Sequence, residues 1–166
     1  MLSRERIASA IEATAAMLTA AGVARPRIAV AGLNPHAGEG GMFGREEIDI
    51  IAPAIEEGRR RGHAVDGPFP ADTIWTKARR GDYDAVLSMY HDQGQIALKL
   101  LGFERGVTIL GGLPVPIATP AHGTAYDIAG RGIADPSATI KAFETLVALA
   151  AMALPARPRE AQGVIV

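Results

Sequence analysis

The sequence predicts an α/β layer fold with a mainly parallel sheet. Three observations carry that expectation. Short apolar runs recur at RIAVAGL (27–33), YDAVLSMY (83–90) and GVTILGG (106–112), as strands buried within a parallel sheet read. Segments with apolar residues at helical spacing stand between them. The junctions are rich in glycine and proline, which reverse the chain between layers.

Taken in order, residues 4–21 place Ile7, Ile11, Ala15 and Leu18 on one helical stripe, with Ser3 positioned as N-cap and Gly22 as terminator. The strand 27–33 follows Pro26 and runs into GLNPHAGEGGMFG. Residues 45–62 form a helix with Ile48, Ile51, Ala52 and Ile55 on one face. Acidic groups in its first turn complement the helix dipole, and Pro53 is expected to bend or interrupt it. HAVDGPFP (63–70) reads as a short strand and turn, and 71–81 as a short helix ending at Gly81. A helix over 92–102 follows the strand at 83–90. Beyond the strand at 106–112, residues 115–136 read as loop. The last helix runs from Pro136 to Leu154, with Ile140, Phe143, Val147 and Leu154 along one side, and the remaining tail is expected to fray or lie at an edge.

The 166 residues suffice for one compact domain, 1–166, with a real core, and neither a repeat nor a low-complexity linker divides it. A net charge of -1 gives no electrostatic reason to expect nucleic acid or an anionic membrane as partner. No apolar run is long enough to span a bilayer. Glu5 and Glu12 make the first segment an amphipathic helix rather than a signal peptide. The absence of cysteine excludes disulfides and thiolate metal ligands, in keeping with a cytoplasmic location.

In a parallel sheet, ligands gather outside the carboxyl ends of the strands. His36 and His91 each fall just past such an end. Two imidazoles there could supply two ligands to a divalent cation, although a catalytic zinc normally takes three from protein. The alternative is that each is an ordinary solvated or capping loop histidine; His63, at a strand entry, reads as surface. Asp92 is a further oxygen donor or orients His91 through a hydrogen bond. Glycines 38, 40, 41 and 44 either permit a tight reversal or let backbone amides approach an anion; their spacing does not match the dinucleotide fingerprint G-x-G-x-x-G. His122, Gly123 and Thr124 form a compact polar turn. Asp127 after them could accept ribose hydroxyls, or it or Thr124 could cap a helix. Lys99, eight residues after His91, could hold a phosphate or carboxylate, or be an ordinary lysine of an amphipathic helix.

Four blocks, GLNPHAGEGGMFGREEID, GPFPADTIW, MYHDQGQIALKLLGFERGV and HGTAYDIAGRGIAD, resemble in this order the C-terminal half of the 4-hydroxythreonine-4-phosphate dehydrogenase family, PdxA, over residues 3 to 150. HGTAYDIAGRG is also similar to the NAD-adenosine loop of isopropylmalate dehydrogenases. The resemblance implies a three-layer αβα fold of the isocitrate/isopropylmalate dehydrogenase type, here one half of a two-domain family chain. The activity it implies is a metal-dependent, NAD(P)-linked oxidation of a phosphorylated hydroxy-amino acid, 4-phosphooxy-L-threonine, followed by decarboxylation, as in pyridoxal 5'-phosphate biosynthesis. It carries metal ligation over to His36 and His91, with zinc, magnesium or cobalt as the ion and a third histidine from the preceding half. It makes Lys99 a substrate-holding residue and, with Asp92, part of the catalytic set. It sets His122, Gly123, Ala125 and Asp127 against NAD or NADP. It also implies a homodimer acting on a small molecule.

Three positions depart from the family pattern. Thr108 stands where an asparagine holds substrate, Ile117 where an arginine does, and Ala121 where an aspartate precedes HGTA. Isoleucine cannot replace a bidentate guanidinium clamp on an anion. Another sugar-acid phosphate, or a cis-dihydrodiol carboxylate, is therefore an alternative substrate. Because the family chain is about twice as long, this chain is expected to be a fragment, a split-gene product or a truncated form. It would need an N-terminal half or partner chain, and without one it would be a non-catalytic metal-binding or dimerisation module.

Overall fold

A computed structural model describes residues 2–102, 106–111, 113, 115 and 117–153. The expected final residue of the last helix, Leu154, and the tail lie outside these. Ser3 caps the first helix, α1 (Arg4–Ala20), by accepting the Arg6 amide on its hydroxyl at 3.2 Å. Gly22 follows its end with φ 94°. Strand β1 (Arg27–Ala31) is buried at every position after the first. Its alternate residues divide between two packing layers. Ile28 and Val30 face Ile7 and Ile11 of α1 together with Ile51 and Ile55, while Ala29 and Ala31 face Ile74 on the other side. A strand covered on both faces reads as an unbroken apolar run, which is why RIAVA carries no polar alternation.

The segment expected as one bent helix begins with a π-helical turn, Glu47–Ile51, and continues as α2 (Ala52–Arg60) with Pro53 in its first turn. Proline has no amide to donate to the carbonyl four residues back, so the wider turn precedes it. Gly58 lets α2 come close: a Cβ there would stand 3.2 Å from both Ile11 and Val65. Strand β2 (Ala64–Phe69), α3 (Ile74–Arg79) and β3 (Ala85–Leu87) complete a three-stranded parallel sheet in the order β2-β1-β3. With α1 and α2 on one face and α3 on the other, this is the expected αβα layering. β3 is shorter than the run 83–90 suggested. Tyr83 packs its ring on Phe69, 5.6 Å between centroids, and the Met89 amide leaves the sheet to donate to the Gln93 side chain at 2.9 Å.

Helix α4 (His91–Gly102) follows, then β4 (Val107–Leu110), β5 (Ile117–Pro120) and α5 (Ser137–Ala153). β4 and β5 pair antiparallel as a separate ribbon, with α5 against it. β5 lies in the stretch expected as loop. Among the described side chains of α5 the buried ones are Ala138 and Ala142, whereas Ile140, Phe143 and Val147, the expected packing stripe, are exposed. Among the described residues, no helix is long and apolar enough to cross a membrane.

At the amino ends of the strands, the Asp84 carboxylate accepts the Arg27 amide at 2.8 Å and its guanidinium at 3.0 and 3.1 Å, joining the starts of β1 and β3. The guanidinium and amide of Arg27 hold the Asp84 carboxyl below its ordinary value. A depressed carboxyl stabilises the fold above the unfolded aspartate value, about 3.9, and this contribution is lost as pH falls through the lower folded value. Asp84→Asn is expected to lower the urea midpoint at neutral pH and to reduce its fall below about pH 4, measured by denaturation across that range.

Candidate functional site

The carboxyl ends of β2, β1 and β3 form one rim. β1 leads through Gly32 and Leu33 into a turn over Pro35–Gly41, whose residues His36, Ala37, Gly38, Glu39 and Gly40 all have positive φ. Left-handed backbone costs a non-glycine residue about 1–2 kcal/mol. His36 (φ 54°), Ala37 (φ 55°) and Glu39 (φ 42°) all bear that strain. Strain of this kind persists where the surroundings over-determine the backbone. The glycines of the segment thus serve a left-handed reversal.

β3 leads into α4, whose first residue is His91. Gln93 fastens the two loops together. Its side chain accepts the Met89 amide and donates to the Gly32 carbonyl at 2.8 Å. An open cleft of about 670 Å³ lies between the loops, with His36, Asp72, Trp75, Tyr90, Asp92 and Ile96 on its walls. His36 and His91 are exposed, with 68% and 77% of their side-chain surface accessible. His36 Nδ1 lies 3.3 Å from Glu39 Oε2, and its ring meets Phe43 edge-on with centroids 6.1 Å apart. His91 Nδ1 lies 2.8 Å from Asp92 Oδ1. Each ring is thus oriented by a carboxylate at Nδ1, the arrangement that leaves Nε2 for another partner.

Of the expected residues, His36 and Asp92 line the cleft; His91 is next to Asp92 but not on the wall, and the others lie apart from it. Lys99 is exposed on α4, seven residues and so about two turns beyond Asp92. Thr108 on β4 pairs with Thr119, and Leu110 with Ile117 on β5, so both substituted clamp positions belong to the ribbon. Ala121 donates its amide to the Gly106 carbonyl at 3.0 Å. His122 Nδ1 lies 3.0 Å from the Gly123 carbonyl, Ala125 is left-handed at φ 48°, and Asp127 sits in a short 3-10 turn, Tyr126–Ile128. Neither Thr124 nor Asp127 caps α5. Asp135 does so, accepting the Ser137 amide at 2.9 Å.

Sequence reasoning missed three residues. Asp72 follows β2 as His36 follows β1 and His91 follows β3, a shared position at strand ends that could have identified it. Gln93 gave no signal beyond its place in YHDQG. Glu47 reads in the sequence only as a first-turn acid, yet it stands four residues before Ile51 and eight before Ile55, on their buried stripe.

The family model for pyridoxal phosphate biosynthetic protein PdxA matches residues 1–146. The chain belongs to the PdxA family. It is 58% identical over 125 residues to the 4-hydroxythreonine-4-phosphate dehydrogenase of Beijerinckia indica, covering 75% of this chain and 37% of that one. It is 48% identical over 149 residues to the D-threonate 4-phosphate dehydrogenase of Pectobacterium atrosepticum, covering 90% and 46%. The crystal structure of a Klebsiella pneumoniae 4-hydroxythreonine-4-phosphate dehydrogenase superposes with a TM-score of 0.79 at 47% identity, covering 90% of this chain and 45% of that one. The chain thus spans less than half the length of these PdxA relatives. The α/β fold with a parallel sheet agrees with half of a two-domain PdxA structure.

Proposed function

We propose that the chain, as one α/β domain over 1–166, is the C-terminal half of a metal-dependent, NAD(P)-linked dehydrogenase that oxidises and decarboxylates 4-phosphooxy-L-threonine. The observation that carries this reading is the cleft at the carboxyl ends of β1 and β3. His36 lies on its wall, His91 stands beside the wall residues Tyr90 and Asp92 without lining it, each imidazole is oriented at Nδ1, and the chain is a PdxA family member.

The donor set fits a divalent cation in part. His36 and His91 would offer Nε2 atoms, and among the described residues no group of three or more histidine, aspartate or glutamate side chains could hold a metal. A third ligand would come from the N-terminal half, consistent with the share of its relatives that this chain spans. A cation held there would supply Lewis-acid polarisation of the substrate hydroxyl. The chain's own residues would do the rest. Asp92 and Glu39 would fix the imidazole orientations, and Trp75 and Ile96 would make the wall apolar. Lys99, about two turns along α4 from Asp92 and outside the cleft wall, would draw the substrate's anionic group from that end. The loop bearing His122, Gly123, Ala125 and Asp127 would meet the adenosine of NAD or NADP. NAD or NADP bound there would supply the two-electron acceptor for the secondary alcohol, so that overall the hydroxy acid and oxidised cofactor would give a ketone, carbon dioxide and reduced cofactor.

A second substrate reading has its own support. Thr108, Ile117 and Ala121 depart from the clamp of the phosphothreonine enzymes, and a 48%-identical relative is a D-threonate 4-phosphate dehydrogenase. A sugar-acid phosphate is therefore the alternative substrate. Partner contacts, either with an N-terminal half or in a homodimer, have support in the exposed apolar residues Ile96, Leu100 and Leu101 of α4 and Phe143 and Val147 of α5.

The test is to co-express the chain with a family N-terminal half and supply a divalent cation with NAD or NADP. Reduced nicotinamide is then followed with 4-phosphooxy-L-threonine, threonate 4-phosphate and a cis-dihydrodiol carboxylate. Turnover of one of these is expected. Folded, associated halves that reduce no cofactor with any of them would overturn the enzyme reading.

A further inference from the structure

Glu47 is the buried charged residue of the described chain, only 3% exposed, and the proposed chemistry gives it no task. Its Oε1 accepts the Leu33 amide at 2.7 Å and the Asn34 amide at 2.8 Å, and its Oε2 accepts the Asn34 side-chain amide at 2.9 Å. Burial pushes its carboxyl up, but these hydrogen bonds outweigh it and leave the group below its ordinary value. Two glycines make room for the carboxylate. A Cβ would stand 3.0 Å from Oε1 at Gly32 and 2.6 Å from Oε2 at Gly38. The carboxylate thus fills the inside of the bend between β1 and the left-handed turn. That turn starts from Asn34, whose carbonyl accepts the Ala37 amide at 3.1 Å, and it closes where the Phe43 amide donates to the Gly38 carbonyl at 3.2 Å. Whatever fixes Asn34 fixes the strained segment that carries His36.

We infer that Glu47 is a positioning residue: through Leu33 and Asn34 its carboxylate holds the left-handed turn, and thereby sets the place of the His36 ring on the cleft wall. The inference rests on the reading of His36 as a cation ligand. A glutamine at 47 has nearly the same shape and keeps the two backbone bonds through its oxygen. Its amide nitrogen, however, would face the Asn34 side-chain nitrogen, donor against donor. Reversing the Asn34 amide would relieve that contact but turn its oxygen toward Glu46 Oε2, to which Asn34 now donates at 2.6 Å.

The test compares Glu47→Gln with Ile51→Val, which loosens the core on the same helical face and leaves these hydrogen bonds intact. Amide hydrogen exchange and cobalt(II) titration are read on the full chain. In Glu47→Gln, exchange at Ala37 and Phe43 is expected to rise at least about tenfold while β1 amides keep their rates, and cobalt affinity to fall about tenfold. Ile51→Val should produce no such selective change. Unchanged exchange at Ala37 and Phe43 would overturn the inference. So would a rise shared equally with β1, which marks general destabilisation, or a selective rise with undiminished cobalt affinity. Wild-type chain that binds no cobalt would overturn the metal reading instead; the exchange pattern and the His36 ring resonances, displaced or not, then decide the role of Glu47.

Discussion

Gly67→Ala is expected to lower stability by about 3 kcal/mol, a large share of the roughly 5–15 kcal/mol that a domain possesses. Gly67 has φ 136°, where L side chains are strained, and a Cβ there would stand 2.5 Å from the Val30 carbonyl oxygen. That oxygen belongs to β1, the fully enclosed strand, so it has no solvent into which to retreat. Gly67 also lies where the β1–β2 register shifts: Ala29 pairs with Asp66 but Ala31 with Phe69. The irregularity lets Gly32 donate to the Phe69 carbonyl at 2.7 Å and so sets the direction in which β1 leaves the sheet. Gly62→Ala is the matched comparison. Gly62 has φ 90°, and a Cβ there would meet nothing within 4 Å, so only backbone strain, about 1 kcal/mol, applies. Urea midpoints of both variants check the difference. Equal losses would mean that the close approach to Val30 contributes nothing.

His36→Ala and His91→Ala are each expected to weaken divalent-cation binding at least about tenfold, and the double variant to abolish it, as titration calorimetry with zinc or cobalt would read. Stability should stay within about 0.5 kcal/mol for each, because both side chains are largely solvated. The separation of the two readouts matters. A fold loss would implicate the strained turn or the α4 terminus, whereas loss of affinity with an unchanged urea midpoint isolates the imidazoles. Wild-type affinity in both single variants would remove them as ligands. Glu39 and Asp92 add a graded version, since deleting a carboxylate that orients a ligating ring weakens binding less than deleting the ring.

The layer fold was legible because β1 is enclosed on both faces and so reads as an uninterrupted apolar run, with helices of clear period around it. His36 and His91 were legible as rim residues for the same reason: strand ends in a parallel sheet are predictable positions. β5 was not. Its four residues include a proline and lie in a stretch dense with turn residues, so pairing with β4 supplies information that the local sequence lacks. The outward orientation of Ile140, Phe143 and Val147 was equally hidden. α5 is apolar around much of its girth, and only the partner ribbon selects the alanine face. Glu47 escaped notice because its charge suited the helix dipole, while its three-dimensional task, gripping amides fourteen and thirteen positions earlier, leaves no periodic trace.

Helix α4 contributes no fully buried side chain, and its first turn is tied to β1 by Gln93. An element clamped at one end and only shallowly packed beyond it gives way first at the other. Lys99, Leu100, Leu101 and Gly102, at the far end, are all exposed, whereas the His91 end is held by Gln93. A trypsin cut after Lys99 would therefore come early in limited digestion, and it would leave the histidine end of the helix still attached to the sheet.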